Sequence, residues 1–181
     1  SPLRQFVAGS ILIGNTLNTL FCAGELSSIE LAQIGQYAEN VYFGKPSGLM
    51  DQMACSIGGV VSIDFDDPLH PLVDEVGFAM ADSGHVLCIV DSGADHADLT
   101  DDYSAITHDM GAVANYFGQD YLRDVDEETF WADLAGVRAA TNDRALLRAI
   151  HFFEDNDRVP LQADALAGGH FEDFLELVTE S

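Results

Sequence analysis

Ala38-Glu39-Asn40-Val41-Tyr42-Phe43-Gly44-Lys45-Pro46-Ser47-Gly48-Leu49-Met50-Asp51-Gln52 is the stretch on which the reading of this chain turns. It delivers one carboxylate, Asp51, out of a loop punctuated by Gly44, Pro46 and Gly48 onto the first turn of a short helical run beginning at Met50. The helix dipole and the free N–H groups of that turn favour an ionised carboxylate, by about 0.3–1 kcal/mol where exposed and up to about 2 kcal/mol where partly buried. A fixed, ionised carboxylate beside a small loop suits a general base that takes a proton from a hydroxyl. Gly48 would let the backbone approach a ligand closely. The same pattern also describes an aspartate that only caps a helix and a glycine that only turns the chain, because Asp is common at helix starts.

Upstream of this stretch, apolar residues recur at helical intervals from Phe6 to Phe21 (Ile11, Leu12, Leu17, Leu20), and Gly24 follows as a stop signal. Ser27-Ser28-Ile29-Glu30 has the capping-box pattern, and Ile29, Ala32, Ile34, Tyr37, Ala38, Val41 and Tyr42 give a second helix a broad apolar face up to Gly44. Downstream, Gly58-Gly59 breaks the helical run, and Val60 to Phe65 reads as a strand that Asp66-Asp67-Pro68 turns. Val86-Leu87-Cys88-Ile89-Val90 reads as a second, fully apolar strand ended by Asp91-Ser92-Gly93. Near residue 95 the composition shifts from mixed to helical, with helices expected over Leu99–Phe117, Glu127–Leu134, Asn142–Glu154, Asp157–Ala167 and Phe171–Val178.

With 181 residues and 48% hydrophobic content, the chain can bury a core of one large or two small domains. Its 31 acidic residues stand against 7 basic ones, a formal net charge of −24. Such a surface repels a phosphate backbone and anionic lipid, which argues against nucleic-acid and membrane partners. It also repels nucleotides, so any ATP site needs a metal ion and locally placed N–H groups. Cys22, Cys55 and Cys88 are odd in number, far apart and set in apolar stretches, which predicts small core residues in a reducing cytoplasm. No cysteine or histidine spacing suits structural zinc. No apolar run is long enough to span a bilayer, and Ser1-Pro2-Leu3-Arg4 does not open a signal peptide.

The run A-E-N-x-x-x-G-x-P-x-G-x-M-D-Q resembles the signature around the catalytic aspartate of galactokinases, sugar kinases of the GHMP family. The resemblance continues through Gly58-Gly59, Ile63-Asp64-Phe65, Val90-Asp91-Ser92-Gly93, His96, Tyr103, Asn156-Asp157-Arg158-Val159 and Gln162-Ala163, covering residues 11 to 181. It implies an α+β fold, a two-part GHMP-kinase-like body that is incomplete here. Residues 1–80 would be the remainder of a ribosomal-protein-S5-like amino-terminal domain, and residues 81–181 the start of an α+β sandwich carboxy-terminal domain, mostly helical. The implied reaction is ATP-dependent phosphorylation of galactose at the anomeric hydroxyl, with Mg2+. In that reaction Asp51 is the base, or the carboxylate that orients the hydroxyl; Gly48 offers a backbone contact to the sugar; and Tyr103 hydrogen-bonds a sugar hydroxyl. Tyr103 sits in Asp102-Tyr103-Ser104-Ala105 without the basic residues that many relatives place just after it. His96 reads equally as a helix-entry residue or a ligand, and Glu39 and Asn40 read as helix-surface residues or as supports behind the ligands.

The departures weigh as much as the matches. The family's Gly-Leu-Ser-Ser-Ser-Ala phosphate loop is expected just before Ile11, where Arg4-Gln5-Phe6-Val7-Ala8-Gly9-Ser10 is neither glycine-rich nor serine-rich enough to form an anion nest. The upstream arginine-and-acid segment that grips the sugar and the late glycine-rich motif are not found either. A positioned base contributes about 10²–10⁴-fold, well short of what a kinase supplies. These departures predict a truncated chain, weakly active or inactive, binding neither ATP nor Mg2+ itself. Two rival readings are a non-catalytic sugar-binding or regulatory homologue and a GHMP kinase for another hexose or an amino sugar. A third is an inert fragment. Apolar surface left open by missing strands would favour self-association.

Overall fold

The computed structural model describes residues 2–44, 47–67, 69–90 and 100–181, and their side chains apart from those of residues 2–6 and 100–103. The chain divides into two compact units, Ser1–Ala79 and Met80–Ser181.

In the first unit the long apolar repeat forms α1 (Pro2–Phe21), which ends where Ala23 and Gly24 take left-handed backbone conformations. Asn18, buried on α1, donates through Nδ2 to the Leu26 carbonyl at 3.0 Å and accepts from the Leu26 N–H at 3.1 Å. Its amide therefore stands in for a strand neighbour and pins the turn to the helix. Next, α2 (Ser28–Tyr37) opens on the expected capping box: Glu30 N–H donates to Ser27 Oγ at 3.2 Å and Ser27 N–H to Glu30 Oε2 at 2.8 Å. Ser27→Ala is expected to cost about 1 kcal/mol, read as a lower urea midpoint; an unchanged midpoint would show the box to be idle.

A wider π-helical turn, Ala38–Tyr42, continues α2. After the loop comes α3 (Met50–Ile57), stopped by Gly58 and Gly59, whose φ values of 81° and 66° exclude most other residues. Strands β1 (Val60–Asp64) and β2 (Leu72–Val76) pair antiparallel, with Val60 opposite Val76 and Ile63 opposite Val73. Ile63 and Val73 pack with Ile29, Ile57 and Phe65 around a core of Ala32, Leu49 and Met53. A Cβ on Gly35 would come within 3.2 Å of Ile11 Cδ1 and 3.6 Å of Gln52 Cγ, so this glycine lets α1 and α3 close on α2.

Strand β2 was not expected, because Leu-Val-Asp-Glu-Val has no clean alternation; pairing with β1 makes it a strand. The expected strand Val86–Val90 is corrected. Those residues form no strand, no described strand pairs with them, and Val86 and Val90 are 82% and 86% exposed. A β-prone composition becomes a strand only beside a ladder partner. The cysteines are corrected as well. Cys22, Cys55 and Cys88 are all exposed. Apolar neighbours in sequence did not mean burial: Leu20 and Phe21 before Cys22, and Leu87 and Ile89 around Cys88, are exposed too.

The second unit is helical: α4 (Thr100–Tyr116), α5 (Glu127–Ala132), α6 (Leu134–Ala140), α7 (Asp143–Ala167) and α8 (Phe171–Glu180). Side chains of Asp126, Asp133 and Asn142 accept from the first-turn N–H groups of α5, α6 and α7. Val113, Ala114, Leu122, Val125, Phe130, Val137, Ala145, Ala149 and Phe153 form the core. Two helices were expected across Asn142–Ala167, and one is found despite Pro160. Along it, Asp155 pairs with both His151 and Arg158, one turn to either side, which holds the polar stretch Glu154–Asp157 helical.

Candidate active site around Asp51

Asp51 is the second residue of α3 and is exposed. Gln52 and Met53, the next two residues, are buried, and at 100° per residue their burial turns Asp51 outward. The N-cap position is Leu49, which has no side-chain acceptor. Among the described residues, no N-cap side chain therefore competes for the first N–H groups of α3.

Gly48 lies three residues before Asp51. A Cβ placed there would meet no other group within 4 Å. Neither packing nor a left-handed turn asks for glycine at this position. The open side of its backbone is room for something else to come close.

The loop is held from behind by the end of α2. Glu39, expected on the helix surface or as a support behind the ligands, is 1% exposed and so does not lie on the surface. Its Oε2 accepts from Ser47 Oγ at 2.7 Å and its Oε1 from Gln52 Nε2 at 3.0 Å. One buried carboxylate therefore bridges the loop and α3. Gln52 is likewise 1% exposed, and its Oε1 has no hydrogen-bond partner among the described atoms. Sequence reasoning missed Glu39 and Gln52 as a pair, although a signal existed: Ala32, Gly35 and Glu39 share the buried stripe of α2, and a carboxylate on such a stripe needs partners. Asn40, expected on the surface or in a supporting role, is exposed and grips the Ser47 backbone.

Tyr103 lies in the first turn of α4, in the second unit, and its side chain falls outside the described residues, as does His96. Asp51 and Gly48 are the two expected site residues that the first unit brings together. No three His, Cys, Asp or Glu side chains among the described residues are grouped to hold a metal ion. Residues 4–10 lie inside α1 rather than in a phosphate-cradling loop.

The segment that carries Asp51 falls within a match to a known family. Residues 8–59 match the GHMP kinases N terminal domain. Galactokinase of Actinobacillus pleuropneumoniae is 32% identical over 171 residues, an alignment covering 92% of this chain and 42% of that protein. Galactokinase of Glaesserella parasuis serovar 5 is 31% identical over 186 residues, covering 100% of this chain and 46% of that protein. Among solved structures, Lactococcus lactis galactokinase complexed with galactose superposes with a TM-score of 0.64 at 23% identity, over 92% of this chain and 42% of that one. The chain spans less than half the length of these relatives. The fold is a helix-rich α+β body with a small sheet, and it resembles part of that solved galactokinase structure.

Proposed function

We propose, for a chain that carries a GHMP-kinase amino-terminal segment and is similar to galactokinases along nearly all of its length, that it forms part of the sugar site of a galactokinase. In this reading residues 1–80 are amino-terminal-domain and residues 81–181 carboxy-terminal-domain material of the GHMP architecture. Asp51 takes, or orients, the proton of the anomeric hydroxyl of galactose. The oxygen so freed attacks the γ-phosphorus of ATP, and ADP leaves. The Gly48 backbone meets the sugar and Tyr103 hydrogen-bonds one of its hydroxyls. Mg-ATP enters as the family's second substrate, and the whole enzyme is cytoplasmic.

The observation that carries the reading is the exposed Asp51 carboxylate on an uncapped helix turn, three residues after an open-sided glycine. Among the described residues of the first unit, no packing contact accounts for that pair. Positioning dominates phosphoryl transfer, and a base alone supplies a small part of it. Turnover by this chain by itself is therefore weak.

Calorimetric titration of the purified chain with galactose, then with Mg-ATP, tests the reading. Saturable galactose binding that disappears with Gly48→Val is the expected result; binding indifferent to that change would end the assignment of the loop. Among the described residues no helix is long and apolar enough to cross a membrane. Leu12, Ile13, Leu17, Leu20 and Phe21 on α1 are nevertheless exposed, which supports association of the chain with a second copy. Light scattering is expected to show more than the monomer mass, and a monodisperse monomer would refute it.

A further inference from the structure

The backbone of Ser47, the residue just before Gly48, is gripped by the side chains of the α2 terminus. Asn40 Oδ1 accepts from the Ser47 N–H at 2.8 Å, and Asn40 Nδ2 donates back to the Ser47 carbonyl at 3.3 Å. Gln36 Nε2 donates to the same carbonyl at 3.1 Å. The Ser47 N–H fixes which way the Asn40 amide faces, since only its oxygen can accept.

We propose that Asn40 is a positioning residue: its amide acts as a surrogate strand for one peptide unit and thereby fixes the Ser47–Gly48 backbone and the approach to Asp51. This rests on the galactose reading of that site. Both Glu39 and Asn40 lie on the π-helical turn. Glu39 and Asn40 are adjacent, and on a regular helix their side chains would diverge by about 100°; yet one reaches Ser47 Oγ and the other the Ser47 peptide. Asn40 itself is exposed. Two hydrogen bonds from an exposed side chain add little to global stability, but they decide where one peptide points.

Amide exchange measured by NMR on the intact chain, together with galactose titration, tests the proposal. In Asn40→Ala the Ser47 N–H is expected to exchange about tenfold faster, as befits the loss of one hydrogen bond, while the Leu31 and Ala32 amides and the melting temperature stay as in the parent. Asn40→Asp keeps the acceptor for the Ser47 N–H and should restore slow exchange, which a merely structural role would not require. Galactose affinity should weaken about tenfold in Asn40→Ala. Unchanged Ser47 exchange overturns the proposal, and so does faster exchange with unchanged galactose affinity. A parent chain that binds no galactose refutes the sugar reading instead, and Ser47 exchange with its rescue by Asn40→Asp then decides alone whether Asn40 positions the loop.

Discussion

Asp51→Asn is expected to lower galactose-dependent ADP formation by about 10²–10⁴-fold relative to the parent chain, while stability falls by no more than about 1 kcal/mol. The substitution keeps the shape of the side chain and removes its ability to take a proton. Asp51 is exposed, and no hydrogen bond of the fold depends on it among the described residues, so only the small attraction of its charge to the helix start, about 0.3–1 kcal/mol, is lost. A coupled ADP assay at saturating galactose and Mg-ATP, run beside denaturation, separates the two effects. Equal turnover in parent and variant would remove Asp51 from the chemistry and leave it as a helix-start residue.

The largest stability effect is expected at Asp109, far in sequence from that site. Asp109 is 2% exposed and accepts from Arg144 Nε at 2.7 Å and Nη2 at 3.2 Å, and from Arg148 Nη1 at 2.7 Å. The pairing joins α4 to α7 across the core of the second unit. Removing one partner of a buried ion pair costs about 3–5 kcal/mol. Arg144 is largely solvated at its outer end, so Asp109→Ala should fall at the low end, about 3 kcal/mol, read by urea denaturation. A loss below about 1 kcal/mol would place the pair with ordinary surface bridges.

The same carboxylate gives a pH signature. The hydrogen bond from Arg144 holds Asp109 below the usual aspartate range, outweighing its burial. A group whose folded value is depressed stabilises the fold above its unfolded value, near pH ~4, and loses that contribution as pH falls through its folded value. The gap in stability between parent and Asp109→Asn should therefore be constant from neutral pH down to about pH 4 and shrink below it. With a net charge of −24, general repulsion also relaxes as acid is added, which is why the difference between the two proteins, rather than either alone, carries the test. A gap that stays constant below about pH 4 would mean that the Asp109 charge is not what holds α4 to α7.

Much of the fold was legible because its signals are local. The capping box at Ser27–Glu30, the glycine stop at Gly58-Gly59 and the helical repeats of α1 and α4 act within a turn or two of chain, and the structure repeats them. The misreadings fall where the outcome depends on a distant partner. Leu72–Val76 becomes a strand because β1 lies beside it, and Val86–Val90, with a better strand composition, does not because no described strand does. The exposed cysteines follow the same logic, since burial is settled by what covers a residue rather than by its neighbours in sequence.

The site divides in the same way. That Asp51 would stand on the first turn of a helix after a glycine-bearing loop was readable from the chain alone, because caps and breakers operate over a few residues. The burial of Glu39 between that loop and α3, and the hold of Gln36 and Asn40 on the Ser47 backbone, came from packing. Those choices rest on how α2 packs against α3, and packing is a balance of desolvation and hydrogen bonding between segments that a linear pattern does not encode.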